Sequence, residues 1–154
     1  DANLQRCVTS PTNRGLCEPC DMDGQCGGNG NLCIGINVGG QFLDRTCSLD
    51  CTNATCPSGF ECIDVRAGTA RQCRPRYAMQ NPSCTAVSHL GDACPFSATT
   101  NDPGCGLSGR QDALCILAPG GTGGVCTIGC ADANDCPTGF TCTGAAPGQT
   151  GVCL

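Results

Sequence analysis

Short β-prone runs separated by Gly/Pro-rich turns set the rhythm of this chain. Leu114-Cys-Ile-Leu117 and Val125-Cys-Thr-Ile128 flank the turn Ala118-Pro-Gly-Gly-Thr-Gly-Gly124. Such a pair of runs around a turn cluster predicts a β-hairpin. Residues 31–47 repeat that shape, with Gly39-Gly40 in the turn. A second kind of hairpin is predicted downstream of each. Phe60 to Val65 returns at Arg71 to Cys73, and Phe140 to Cys142 returns at Gly151 to Cys153. No window keeps apolar residues at helical spacing. The expected fold is therefore small and disulfide-rich, made mostly of β-hairpins and irregular loops, with one-turn helices at most, around Cys51 and Cys130.

These elements fall into two tandem, homologous modules. Cys7 aligns with Cys84, Cys17 with Cys94, and Cys26 with Cys105; Leu32-Cys33-Ile34 aligns with Leu114-Cys115-Ile116. Cys47 and Cys51 match Cys126 and Cys130. Cys56-Pro-Ser-Gly59-Phe60-Glu-Cys62 matches Cys136-Pro-Thr-Gly139-Phe140-Thr-Cys142, and the copies close at Cys73 and Cys153. The modules span 7–73 and 84–153, joined by a linker over 74–83 that Pro75 and Pro82 stiffen. In this alignment Cys20 falls opposite Ser97. The first module then holds ten cysteines and the second nine, so one thiol is left free, bridged to the other module, or bonded to another molecule.

Nineteen cysteines in 154 residues amount to about 12%, a content that marks a disulfide scaffold. That scaffold persists in an oxidising space, so the protein is expected outside the cell, secreted or at the cell surface. Residues 1–16 carry neither a basic start nor an apolar run, and Asp1 is expected to begin a processed chain. No apolar stretch has the length of a membrane span. With no Trp, one Tyr and four Phe, cross-links must replace much of an ordinary core. The net charge of −5, with eight Arg and no Lys, argues against nucleic acid as a partner.

Cys-x3-Cys followed by Cys-Pro-[Ser/Thr]-Gly-Phe-x-Cys-x10-Cys, at 47–73 and 126–153, resembles the short cysteine-rich modules of Dickkopf- and colipase-like domains. It is similar also to cysteine-rich repeats of secreted and surface-anchored bacterial proteins. Cys56 to Cys62 also resembles the Gly-aromatic turn of an EGF-like domain, without that family's closing Cys-x-Cys. The resemblance implies a disulfide module and is nearly silent on activity. Gly59 and Gly139 permit a positive-φ turn, and Phe60 and Phe140 can each cover a bridge.

Few residues offer chemistry. His89 is the sole histidine and reads as a solvated loop residue, with no nucleophile in a recognisable context. Cys17-Glu-Pro-Cys20 has redox spacing without the βαβ setting that lowers a thiol pKa, and reads as two bridging cysteines. Asp21-Met-Asp23-Gly24 resembles the opening of an acidic calcium loop, with Asp132, Asn134 and Asp135 a weaker counterpart. Asn53-Ala-Thr55 is an N-glycosylation sequon. Arg66, Arg71, Arg74 and Arg76 concentrate half the arginines at one edge, where they can steer an acidic partner.

The inventory points to a non-catalytic structural or adhesive module, including a self-assembling subunit of an extracellular filament, sheath or matrix. It needs no cofactor, calcium aside, and its partners are further copies or another surface or matrix protein. The alternative is a protease inhibitor or receptor-binding module. It would present Gly106 to Gln111 with Arg110, or Arg66 to Arg71, as a rigid loop.

Overall fold

The computed structural model describes residues 13–38, 41–66, 68–76, 82–96, 104–107, 112–145 and 150–154. Its first element is the 3-10 turn Asp23–Gln25. Strands β1 (Leu32–Val38) and β2 (Gln41–Ser48) then form one hairpin, and β3 (Phe60–Asp64) and β4 (Arg71–Pro75) a second. The helix α1 (Cys84–Ser88) follows. Next, β5 (Ala93–Cys94), β6 (Leu114–Leu117) and β7 (Gly124–Thr127) make a three-stranded antiparallel sheet with β7 central. Strands β8 (Gly129–Cys130), β9 (Cys142–Thr143) and β10 (Gly151–Cys153) make another, with β10 central and the 3-10 turn Ala133–Asp135 after β8. All four predicted hairpins are present. The Gly39-Gly40 turn lies outside the described residues.

Each hairpin places two cysteines directly opposite one another: Cys33 and Cys47, Cys62 and Cys73, Cys115 and Cys126, Cys142 and Cys153. Neither member bonds to its neighbour across the strands. Both reach back to cysteines in the segment before the hairpin, giving Cys20–Cys33 with Cys26–Cys47 and Cys51–Cys62 with Cys56–Cys73. The same scheme gives Cys94–Cys115 with Cys105–Cys126 and Cys130–Cys142 with Cys136–Cys153. Within every set of four, the first cysteine joins the third and the second joins the fourth. The period read in the sequence as two thus divides into four hairpin units of one connectivity, at 20–47, 51–73, 94–126 and 130–153.

Paired units share further bonds. Ser48 Oγ donates to the Cys73 carbonyl, and Thr127 Oγ1 to the Cys153 carbonyl. The Cys73 and Cys153 amides donate to the Leu49 and Ile128 carbonyls. Gly59 and Gly139 adopt φ of 79° and 96°, as the turn required, and the Phe60 and Phe140 amides close it onto the Pro57 and Pro137 carbonyls.

Three expectations need correction. Cys51 opens a stretch of bends and Cys130 ends β8, so neither carries a helix; the 3-10 turn begins at Ala133, where Asp132 and Asp135 form a reciprocal cap. The α-helix instead starts at Cys84, capped by Ser83 Oγ accepting from the Ala86 amide. Cys20 bonds Cys33 as Cys94 bonds Cys115, so the counterpart of Cys94 in the first module is Cys20 and not the Cys17 aligned with it. Cys17 bonds Cys84 across 67 residues, one of the fates open to the odd cysteine. These nine bridges use all eighteen cysteines of the described residues. Cys7 lies outside them, and no described cysteine remains for it.

Disulfides also supply the core. One buried cluster gathers Ala86, Ala113, Ile128 and six cysteines from Cys105 to Cys153, with Phe140 packed on it. The other holds Cys20, Cys26 and Cys47, with Cys33 against it. Neither cluster mixes residues from before and after the linker.

Candidate functional site

An open cleft of about 610 Å³ lies between the β1–β2 and β3–β4 hairpins. Its walls carry Leu32, Ile34 and Ile36 from β1, and Ile63 with Val65 from the end of β3; Pro75 and Pro82 border it. These aliphatic side chains line a surface cleft because disulfides Cys20–Cys33 and Cys26–Cys47 occupy the interior of the first hairpin. Gln72 ties the two hairpins together. It is fully buried, its Oε1 accepts from the Leu32 amide at 3.2 Å, and its Nε2 donates to the Gly30 carbonyl at 2.8 Å.

Charges at the rim are matched on the protein itself. Arg66 pairs with Asp23 at 3.2 Å, Arg71 with Asp64 at 3.5 Å, Arg74 with Glu61 at 2.7 Å, and Arg76 with Asp135 at 3.1 Å. The four arginines of the predicted edge therefore each have an acidic neighbour; of these charges Asp64, Arg66 and Arg74 line the cleft, together with Asp44. Arg110 lies outside the described residues.

Asp23 is engaged by the protein, its Oδ1 accepting from the Cys33 amide at 2.9 Å and its Oδ2 facing Arg66. Asp21 contributes through its backbone, the amide donating to Gln25 Oε1 and the carbonyl accepting from Arg45. In the other acidic stretch, Asp135 Oδ2 accepts from the Ala131 amide and Asp132 Oδ1 from the Asn134 amide. Three sulfurs come within 4.8 Å of one another in each of the four hairpin units. They belong to neighbouring disulfides, so no thiolate is there to ligate a metal. His89 Nδ1 lies 2.9 Å from Asp92 Oδ2 on the surface. Asn53 sits in an exposed run of bends.

Asp50 has the one resolved titration shift among the described groups. Hydrogen bonds from the Thr52 hydroxyl and then the Thr52 amide hold its carboxyl below the ordinary value of 3.8, against a small desolvation effect.

Of the two loops offered for inhibition, Gly106 to Gln111 lies outside the described residues from 108 onward, and the described residues of Arg66 to Arg71 are joined by turn hydrogen bonds. The Arg66 carbonyl accepts from the Thr69 amide at 2.7 Å and from its hydroxyl at 2.6 Å, while Val65 bonds Ala70. The Arg71 carbonyl accepts from the Cys51 amide, and Gln72 after it is buried. The peptide bond after Arg71 thus leads into a buried residue of β4.

Sequence reasoning passed over Asp44 and Gln72. Asp44 accepts from the Cys84 amide at 2.9 Å and from the Thr85 hydroxyl, seating the start of α1 on β2. The available signal was only its polarity within a β-prone run. No protein-family model, curated protein or solved structure matches the chain. The chain is a small, cysteine-rich, disulfide-bonded protein built from β-hairpins.

Proposed function

We propose that this protein is an extracellular, non-catalytic structural or binding module, acting through a rigid surface in an assembly with further copies or with another surface or matrix protein. The two tandem modules are 7–73 and 84–153, joined through 74–83. One observation carries the reading: eight bridges repeat one connectivity in four units, a ninth joins Cys17 to Cys84, and no described cysteine is left over. Cross-linking of that density is useful where a surface must keep its shape in an oxidising, protease-rich space. Among the described residues no helix is long and apolar enough to cross a membrane. The aliphatic cleft beside Gln72 is the binding surface this reading uses, and its aliphatic walls favour an apolar contact.

An inhibitor is the less favoured reading. A substrate-like inhibitor offers its arginine in an extended, accessible segment, whereas Arg66 and Arg71 are fixed by a turn and a sheet.

The test is the size of the natively secreted protein, alkylated and run without reductant beside a reduced sample. Species larger than 15.5 kDa that collapse on reduction support covalent assembly through Cys7. A monomer in that gel that also remains monomeric by native light scattering, and binds no surface or matrix component, refutes assembly. Stoichiometric inhibition of a trypsin-like protease, lost on Arg110→Ala, would select the other reading.

A further inference from the structure

We propose that the Cys17–Cys84 disulfide is a thiol-sensitive latch between the two halves of the molecule, opened by a small extracellular thiol while the other eight bridges stay closed. Four observations meet at this bond. It is the one described bridge that joins residues before the linker to residues after it, and it belongs to none of the four hairpin units. The eight bridges within units are packed in neighbouring pairs, each pair with at least two deeply buried sulfurs or one buried beside two half-buried. Cys17 is half-buried, as are five of the cysteines within units, and Cys84 is buried, but this bond stacks on no second disulfide among the described residues and borders a surface depression formed by Glu18, Arg45, Thr85, Ser88 and Leu107.

Backbone strain collects at the same place. Only three described residues other than glycine have positive φ, and two of them are Cys17 at 66° and Asp44 at 51°. Asp44 holds the amide of Cys84 and the hydroxyl of Thr85. Left-handed backbone in a residue with a side chain persists where the surroundings impose it, and such strain concentrates at switch elements. Opening the bridge removes the constraint that the disulfide places on Cys17.

Nothing apolar would hold the halves together afterwards in the way a core does, because neither buried cluster crosses the junction. What remains is polar: Asp44 on α1, Ser58 Oγ donating to the Cys136 carbonyl at 2.8 Å, the Gly59 amide to the Asn134 carbonyl at 3.1 Å, and Arg76 with Asp135. Such contacts are weakened by salt and competed by water. The latch therefore sets whether the halves act as one body or as two tethered ones.

The chemistry is ordinary exchange. A thiolate R–S⁻ attacks one sulfur to form a mixed disulfide and expels the other cysteine as thiolate. A second R–S⁻ then releases the first as R–S–S–R, two electrons passing from the small thiol to the bridge.

The experiment is titration of the native protein with dithiothreitol, quenching with an alkylating agent, and peptide mapping. Cys17 and Cys84 are expected to be labelled at a dithiothreitol concentration at least tenfold below that for any other bridge; another pair opening first or together overturns the proposal. The variant Cys17→Ser/Cys84→Ser gives a second readout by hydrogen exchange. The Cys84 position and Gly59 amides should lose at least tenfold in protection while the Cys73 and Cys153 amides keep theirs. Unchanged protection at the junction would show that the bridge latches nothing.

Discussion

Replacing Gln72 tests whether one buried side chain fixes the cleft. Gln72 is fully buried at the join of the two hairpins, with bonds to Leu32 and Gly30. Gln72→Ala loses two hydrogen bonds, at about 1 kcal/mol each. It also removes packing comparable to two methylene groups, at about 0.8 kcal/mol each. The expected loss is about 3–4 kcal/mol. Gln72→Leu fills the volume and loses only the bonds. Gly30 is exposed, so water can take over its carbonyl, and the expected loss is about 1–2 kcal/mol. Guanidinium unfolding with the disulfides intact reads both values from the midpoints. Losses below about 0.5 kcal/mol for both variants would refute the assignment of Gln72 as the tie. Equal losses for both would refute the division between bonds and packing.

Alkylation of the native, unreduced protein under denaturing conditions should label Cys7 alone or, in a covalent assembly, none of the nineteen cysteines; label on any other cysteine, read by peptide mapping, contradicts the connectivity. Gly59→Ala should cost more than Gly139→Ala. A methyl at Gly59 would stand 2.6 Å from the Pro137 backbone nitrogen, while the space at Gly139 is open. Left-handed backbone alone costs about 1–2 kcal/mol in each, and thermal unfolding compares them. The Asp50 carboxyl should titrate below 3.8 by NMR, and Thr52→Val should move it upward. A carboxyl depressed in the folded state contributes stability above its unfolded value, and the contribution disappears as pH falls through the folded one. Thr52→Val should therefore flatten the acid limb of the stability curve in the region below that ordinary value.

The hairpins were legible because β-prone runs and Pro/Gly turns are local signals: Leu114 to Ile128 states its turn within fifteen residues. Disulfide pairing was not legible, because it depends on which cysteines the hairpins bring near the preceding segment. Cys17 and Cys20 are three residues apart, yet one crosses to Cys84 and the other reaches Cys33. The arginine edge was visible as composition. Its neutralisation was hidden, since Arg66 meets Asp23 from 43 residues away and Arg76 meets Asp135 from the other half. Helix α1 escaped notice because five residues are too few to show a period, and its cap at Ser83 gains weight only once Asp44 docks on the next turn.

The connectivity also orders the biosynthesis of the molecule. Eight of the bridges close loops of 11 to 21 residues in sequence separation, and each set of four cysteines finishes before the next begins. A chain entering an oxidising compartment from its N-terminus can thus complete each hairpin as it arrives, with few wrong thiols yet present. The ninth bridge must wait, because Cys84 emerges only after eight intervening cysteines have come and gone, and Cys17 has to stay unpaired in their company until then.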